Sequence, residues 1–109
     1  MRVALIGSQD FGKAALEAFL ERGDEVVAVF CPPDNPKATK PEILKETALA
    51  RGLNMLQFPS LKGPEAANAM RDSKADICVM AYVLQFVPQG LVKIPRFGTI
   101  QYHPSLLPK

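Results

Sequence analysis

The 109 residues, 48% hydrophobic and 22% charged, are enough for one domain with its own core and have an ordinary soluble composition. A net charge of +2, with Lys37, Lys40, Lys45 and Arg51 spread among acids and apolar positions, gives no basic patch that argues for nucleic acid or an anionic membrane. The two cysteines, Cys31 and Cys78, are too few for a disulfide framework and lack metal-ligand spacing. They read as buried thiols of a reducing compartment.

The first element is the apolar run Val3-Ala4-Leu5-Ile6, a strand buried on both faces. It stops at Gly7, too short for a signal or membrane segment, so a cytoplasmic protein with no membrane partner is expected. Phe11 to Arg22 has helical spacing, with Phe11, Ala15, Ala18 and Phe19 on one side and Gly23 closing it. Glu25 to Phe30 is a second buried strand. Cys31 to Lys40 holds three prolines and no apolar period, which makes it a loop.

Pro41 to Arg51 reads as a helix with proline at its first position and Gly52 behind it. Asn54 to Gln57 is a weak strand, Gly63 to Arg71 an alanine-rich helix, and Asp76 to Ala81 a fourth strand. Val87 to Lys93 is a brief helical turn before the last strand, Gly98 to Tyr102. The alternation predicts an α/β fold: a Rossmann-like parallel sheet, helices on both faces, strand order 3-2-1-4-5. Such sheets bind ligands beyond the strands' carboxyl ends, where the winding reverses. That selects three segments: Gly7–Gly12, Ala81–Val87 and Gln101–Lys109.

The first of these, Gly7-Ser8-Gln9-Asp10-Phe11-Gly12, sits where a dinucleotide fingerprint would. However, Gln9 replaces the middle glycine that lets backbone approach a pyrophosphate, and no acid ends the second strand to hold a ribose. It also misses a Walker motif by one residue, because Ala14 follows Lys13. The turn therefore reads as a glycine bend with Asp10 capping the helix, compatible with one wall of a substrate cleft. A non-catalytic nucleotide- or ligand-binding Rossmann module is the alternative reading.

The third segment holds the only histidine, His103, just past a buried strand and followed by prolines at 104 and 108. A neutral imidazole accepts a proton near pH 7, and the prolines restrict the backbone that carries it. Gln101, two residues earlier on the strand, points to the same face and has an amide to offer a developing oxyanion. The pair suits acyl or formyl transfer through a tetrahedral intermediate.

At Tyr102-His103-Pro104-Ser105-Leu106-Leu107-Pro108 the chain resembles the folate-dependent formyltransferase family, whose signature is Asn-x-His-Pro-Ser-Leu-Leu-Pro. The likeness covers the whole chain. Met1–Phe11 is similar to the start of the tRNA-directed and dehydrogenase branches, and the run from Ala81 to Pro88 to the loop that contacts the pterin ring. The resemblance implies an enzyme that transfers or hydrolyses the formyl group of 10-formyltetrahydrofolate, a co-substrate, without a metal. His103 and Gln101 would be catalytic, and Leu84, Gln85, Phe86 and Val87 would bind the folate. Ser8, Gln9, Asp10, Phe11 and Ser105 would line the substrate cleft.

The acceptor stays open, with initiator tRNA one candidate. Gln101 stands where the family usually has asparagine, which pulls the chain toward the dehydrogenase branch. The family's catalytic aspartate lies some tens of residues beyond the histidine. The expectation is therefore of an N-terminal formyltransferase domain over residues 1–109, truncated at its C-terminal side, inactive alone and self-associating through an exposed sheet edge.

Overall fold

The computed structural model describes residues 1–81, 83 and 86–102, with Tyr102 described in its backbone only. Five strands and four helices alternate along the chain: β1 (Arg2–Gly7), α1 (Gln9–Glu21), β2 (Glu25–Cys31), α2 (Ile43–Ala50), β3 (Met55–Gln57), α3 (Pro64–Ser73), β4 (Ile77–Ala81), α4 (Gln89–Val92) and β5 (Thr99–Tyr102). All strand pairs are parallel and the order is β3-β2-β1-β4-β5. The expected topology and the exchange of winding between β1 and β4 are both present.

Side chains of a buried strand alternate between faces, and here they divide the core in two. Val3 and Leu5 of β1 join Val29 and Val79 beneath α1 and α2, which contribute Ala15, Leu16, Leu44 and Ala48. Ala4 and Ile6 join Phe30 and Cys78 on the other face, covered by Ala66 and Met70 of α3 and Leu91 of α4. Both faces of β1, β2 and β4 are covered, which is why those strands are uninterrupted apolar runs.

Three local readings need correction. The side of α1 turned to the sheet is Gly12, Ala15 and Leu16, with Phe19 and Leu20 partly buried beside them; Ala18 is exposed and Phe11 half-buried. The helix starts two residues before the predicted Phe11, and its inward stripe begins at Gly12, whose i, i+3, i+4 partners are Ala15 and Leu16 and not Ala18. Asp10 does not cap α1: the N-cap is Ser8, and Asp10 lies inside the first turn, where its charge favours the helix dipole. Finally, Pro41 precedes α2 instead of opening it, because Glu42 is the N-cap and accepts from the Leu44 amide.

The sheet's amino ends are tied by Arg2. Its guanidinium donates to the carbonyls of Ser73 and Lys74 at 2.7 and 3.0 Å, closing the end of α3, and pairs with Glu25 at 3.0 Å. Lys74, the C-cap of α3, holds a left-handed φ of 56°. A non-glycine residue there is strained by about 1–2 kcal/mol, part of which glycine would return as unfolded-state entropy. Lys74→Gly should therefore stabilise the chain by about 0.5–1 kcal/mol, read as a raised urea midpoint with an unchanged slope.

Candidate functional site

Register builds the site. Gly7 of β1 is level with Ala81 of β4, and Ala81 is level with Tyr102 of β5. Three adjacent strands thus end on one line at the sheet's carboxyl edge, where the winding reverses. The turn after Gly7, the segment after Ala81 and the segment after Tyr102 all start from that line.

The turn is held from both sides. The Ser8 amide donates to the Ala81 carbonyl at 3.2 Å, and the Ser8 side chain is fully buried. Its hydroxyl donates to Glu42 Oε1 at 2.6 Å, while Glu42 Oε2 accepts from the Gln9 amide at 2.6 Å and the Leu44 amide at 3.1 Å. Gln9 takes a positive φ of 53°, an uncommon conformation for a residue with a side chain. One carboxylate thus serves the first turns of both α1 and α2.

Beside this turn lies a cleft of about 610 Å³, lined by Gln9, by Pro32 to Asn35, and by the 38–42 stretch that ends at Glu42. The sequence reading made Cys31 to Lys40 a loop and placed Pro41 and Glu42 in the following helix, with no role in a site for either. The signal the 32–42 stretch carried was four prolines stiffening a connection whose last residue, Glu42, is an acid just before a helix. Asp34 anchors the cleft's outer wall, accepting from Gln57 at 2.8 Å and from Lys45 at 2.9 Å. Those two donors, Gln57 first, hold its carboxyl below its ordinary value.

The predicted site residues fall as follows. Gln9 lines the cleft, Asp10 is exposed, Phe11 is half-buried, and Ser8 turns its hydroxyl to Glu42. Val87 packs against the core beside Val83. Phe86 is 66% exposed, with the Lys62 ammonium 5.2 Å from its ring centre. Gln101 is exposed on β5, level with Met80 and, across β4, with Ile6. Leu84, Gln85, His103 and Ser105 lie outside the described residues. Among the described residues no group of three or more histidine, cysteine or acidic side chains could hold a metal, and no helix is long and apolar enough to cross a membrane.

A pyrophosphate seated on a Rossmann turn uses the amides at the helix N-terminus. At α1 the Gln9 amide is already taken by a carboxylate, whose charge would repel a phosphate. The Gly7–Gly12 turn is thus built as a braced wall and not as a phosphate cradle.

These features define a Rossmann-like α/β domain with a cleft between its first strand-to-helix turn and the 32–42 loop. The Formyl transferase family profile matches residues 1–109, and the chain belongs to that family. A methionyl-tRNA formyltransferase of Thiobacillus denitrificans is 39% identical over 113 aligned positions, covering all of this chain and 37% of the relative. One from Geotalea uraniireducens is 34% identical over 100% of this chain and 36% of its own length. The chain therefore spans little more than a third of the curated relatives it matches.

Two solved structures share the fold. Glycinamide ribonucleotide transformylase 1 from Symbiobacterium toebii aligns over 99% of this chain and 53% of its own, with a TM-score of 0.71 and 19% identity. Phosphoribosylglycinamide formyltransferase from Anaplasma phagocytophilum aligns over 99% and 52%, with a TM-score of 0.70 and 19% identity.

Proposed function

We propose that this chain carries the formyl-donor side of a one-carbon transfer from 10-formyltetrahydrofolate, with the amino group of methionyl-tRNA as acceptor. The observation that carries the reading is the common line of Gly7, Ala81 and Tyr102, which gathers the three loop-bearing strand ends of a formyl transferase family member. The names of the 39% and 34% identical relatives support the acceptor. The half-buried apolar Val83 and Val87, following β4, fit the edge of a flat ring system such as a pterin.

In the reaction the acceptor nitrogen attacks the formyl carbon, and the carbonyl oxygen becomes an oxyanion. Gln101 donates its side-chain amide to that oxygen. His103 takes the proton the attacking amine releases and returns it to folate N10 as collapse breaks the bond from the formyl carbon to that nitrogen. Water in place of the amine turns the same steps into hydrolysis, so both reactions draw on one donor site.

A proton transfer by one placed side chain is worth about 10²–10⁴ in rate, and an oxyanion donor about 10²–10³. The 109-residue chain, without the family's aspartate, should bind the donor but turn it over hardly at all. Titration with 5-formyltetrahydrofolate, NAD and ATP tests this. Binding of the folate alone is expected; binding of a nucleotide alone would sink the reading in favour of a non-catalytic Rossmann module. Deformylation of 10-formyltetrahydrofolate at ordinary enzyme rates would remove the need for a further acid.

A further inference from the structure

We propose that Glu42 is a positioning residue for the cleft between the β1–α1 turn and the 32–42 loop, acting through Ser8 and Gln9 rather than on any reacting group. What the cleft holds rests on the formyl-transfer reading; the clamp itself rests on geometry alone. The carboxylate accepts three hydrogen bonds, two from adjacent residues of one turn 34 and 33 positions away and one from its own helix: Ser8 Oγ on one oxygen, the Gln9 and Leu44 amides on the other. Ser8 in turn donates its amide to Ala81 at the end of β4. One unbroken chain of hydrogen bonds therefore runs from the N-terminus of α2, through the β1–α1 turn, to the strand that leads into the 81–87 segment.

The Gln9 conformation shows why the turn needs holding. A left-handed residue with a side chain stores about 1–3 kcal/mol and persists only where its surroundings fix it. Glu42 does so with a charge-assisted bond to the Gln9 amide. The same carboxylate forms part of the cleft lining together with Gln9. It thus sets the position of Gln9 in the wall and the spacing between that wall and β4.

Three substitutions separate the clamp from simple helix capping. Glu42→Ala removes both. Glu42→Asp keeps a good cap for the Leu44 amide but is one methylene short of Ser8 and Gln9. Glu42→Gln keeps the length, and the Ser8 hydroxyl can reverse to accept from its amide while the carbonyl still serves the two N–H groups.

Amide hydrogen exchange by NMR on the 109-residue chain reads the result at Ser8, whose N–H touches Ala81 and not Glu42. Its exchange should quicken at least tenfold relative to Leu5 in Glu42→Asp and Glu42→Ala, and stay near the parent value in Glu42→Gln. Affinity for 5-formyltetrahydrofolate should weaken by about the same factor in the Asp and Ala variants and recover in the Gln variant. If Ser8 remains as protected as Leu5 in the Asp variant, Glu42 is only a helix cap and the proposal is overturned. If Glu42→Ala does not fold, the Asp and Gln pair still decides it. A parent chain that binds no folate counts against the proposed function, while the exchange pattern continues to judge Glu42.

Discussion

Gly7→Ala is expected to destabilise the fold by about 3 kcal/mol, the upper end of what overpacking a well-filled interior costs. A Cβ at position 7 would lie 2.6 Å from the Ala81 carbonyl oxygen, 3.3 Å from Gly12 Cα and 3.4 Å from Leu44 Cδ2. The nearest atom is backbone, and it cannot retreat cheaply. Ala81 is fully buried, paired in register with Gly7, and its oxygen already receives the Ser8 amide. Relief would have to come from parting β1 and β4 at the switch point itself.

Gly12→Ala makes the control. Its Cβ meets Leu44 Cδ2 at 2.8 Å, the end of a side chain that can turn, and alanine gains up to about 1 kcal/mol over glycine inside a helix. It should cost clearly less than Gly7→Ala. Urea unfolding of the two variants against the parent measures the difference. A Gly7→Ala cost below about 1 kcal/mol would mean that the strand ends part easily, and the braced wall described above would not be rigid.

The fold was legible because each buried strand announces itself twice, as an apolar run and as a break in helical spacing. Val3 to Ile6, Glu25 to Phe30 and Asp76 to Ala81 were placed within a residue or two, and parallel crossovers left little choice of strand order. What escaped was contact between residues far apart in sequence. Asp10 looked like the cap of α1 because it was local, whereas the group that takes the Gln9 amide is Glu42.

The face of α1 was misjudged for a different reason. Gly12, Ala15, Leu16, Phe19 and Leu20 follow the i, i+3, i+4, i+7, i+8 spacing of one helix face, and starting the stripe at Phe11 instead of Gly12 put Ala18 in place of Leu16. The cleft between the 32–42 loop and the turn was invisible because it joins segments far apart in sequence. Of the chemistry-bearing residues, Gln101 lies on the predicted strand, level with Met80, because Gly98 to Tyr102 was readable as a strand, while the His103 expected to share its face lies outside the described residues.

Raising the pH above 9 should unfold the chain steeply, and two thiols should account for much of the slope. Cys31 and Cys78 are both buried, as their apolar neighbours in sequence suggested. Burial pushes the Cys78 thiol up to about 12 from an ordinary 9.0, with Thr99 pulling weakly the other way. Cys31 also rises to about 12, through burial first and then the Glu42 carboxylate. A raised pKa in the fold means that the folded state favours the neutral thiol. Below about pH 9 both states are protonated and the contribution is complete. Between about 9 and 12 the unfolded chain ionises its thiols while the folded chain does not, and stability is lost as pH rises.

Each fully shielded thiol can add about 1.4 kcal/mol of loss per pH unit in that window, against a total stability of about 5–15 kcal/mol for a domain. The two thiols should contribute comparably, because both are pushed up to about 12. Lysines and tyrosines titrate in the same range, so the measurement is a difference. Urea unfolding at pH 8.5, 9.5 and 10.5 should give a steeper decline for the parent than for Cys78→Ala, and a shallower one still for the double variant with Cys31→Ala. Loss of packing shifts those curves by a constant and leaves their slopes alone, so only shielding of the thiol from water changes the slope. Parallel curves would mean that solvent reaches both sulfurs in the folded chain, and that the two cores flanking the sheet are looser than their burial implies.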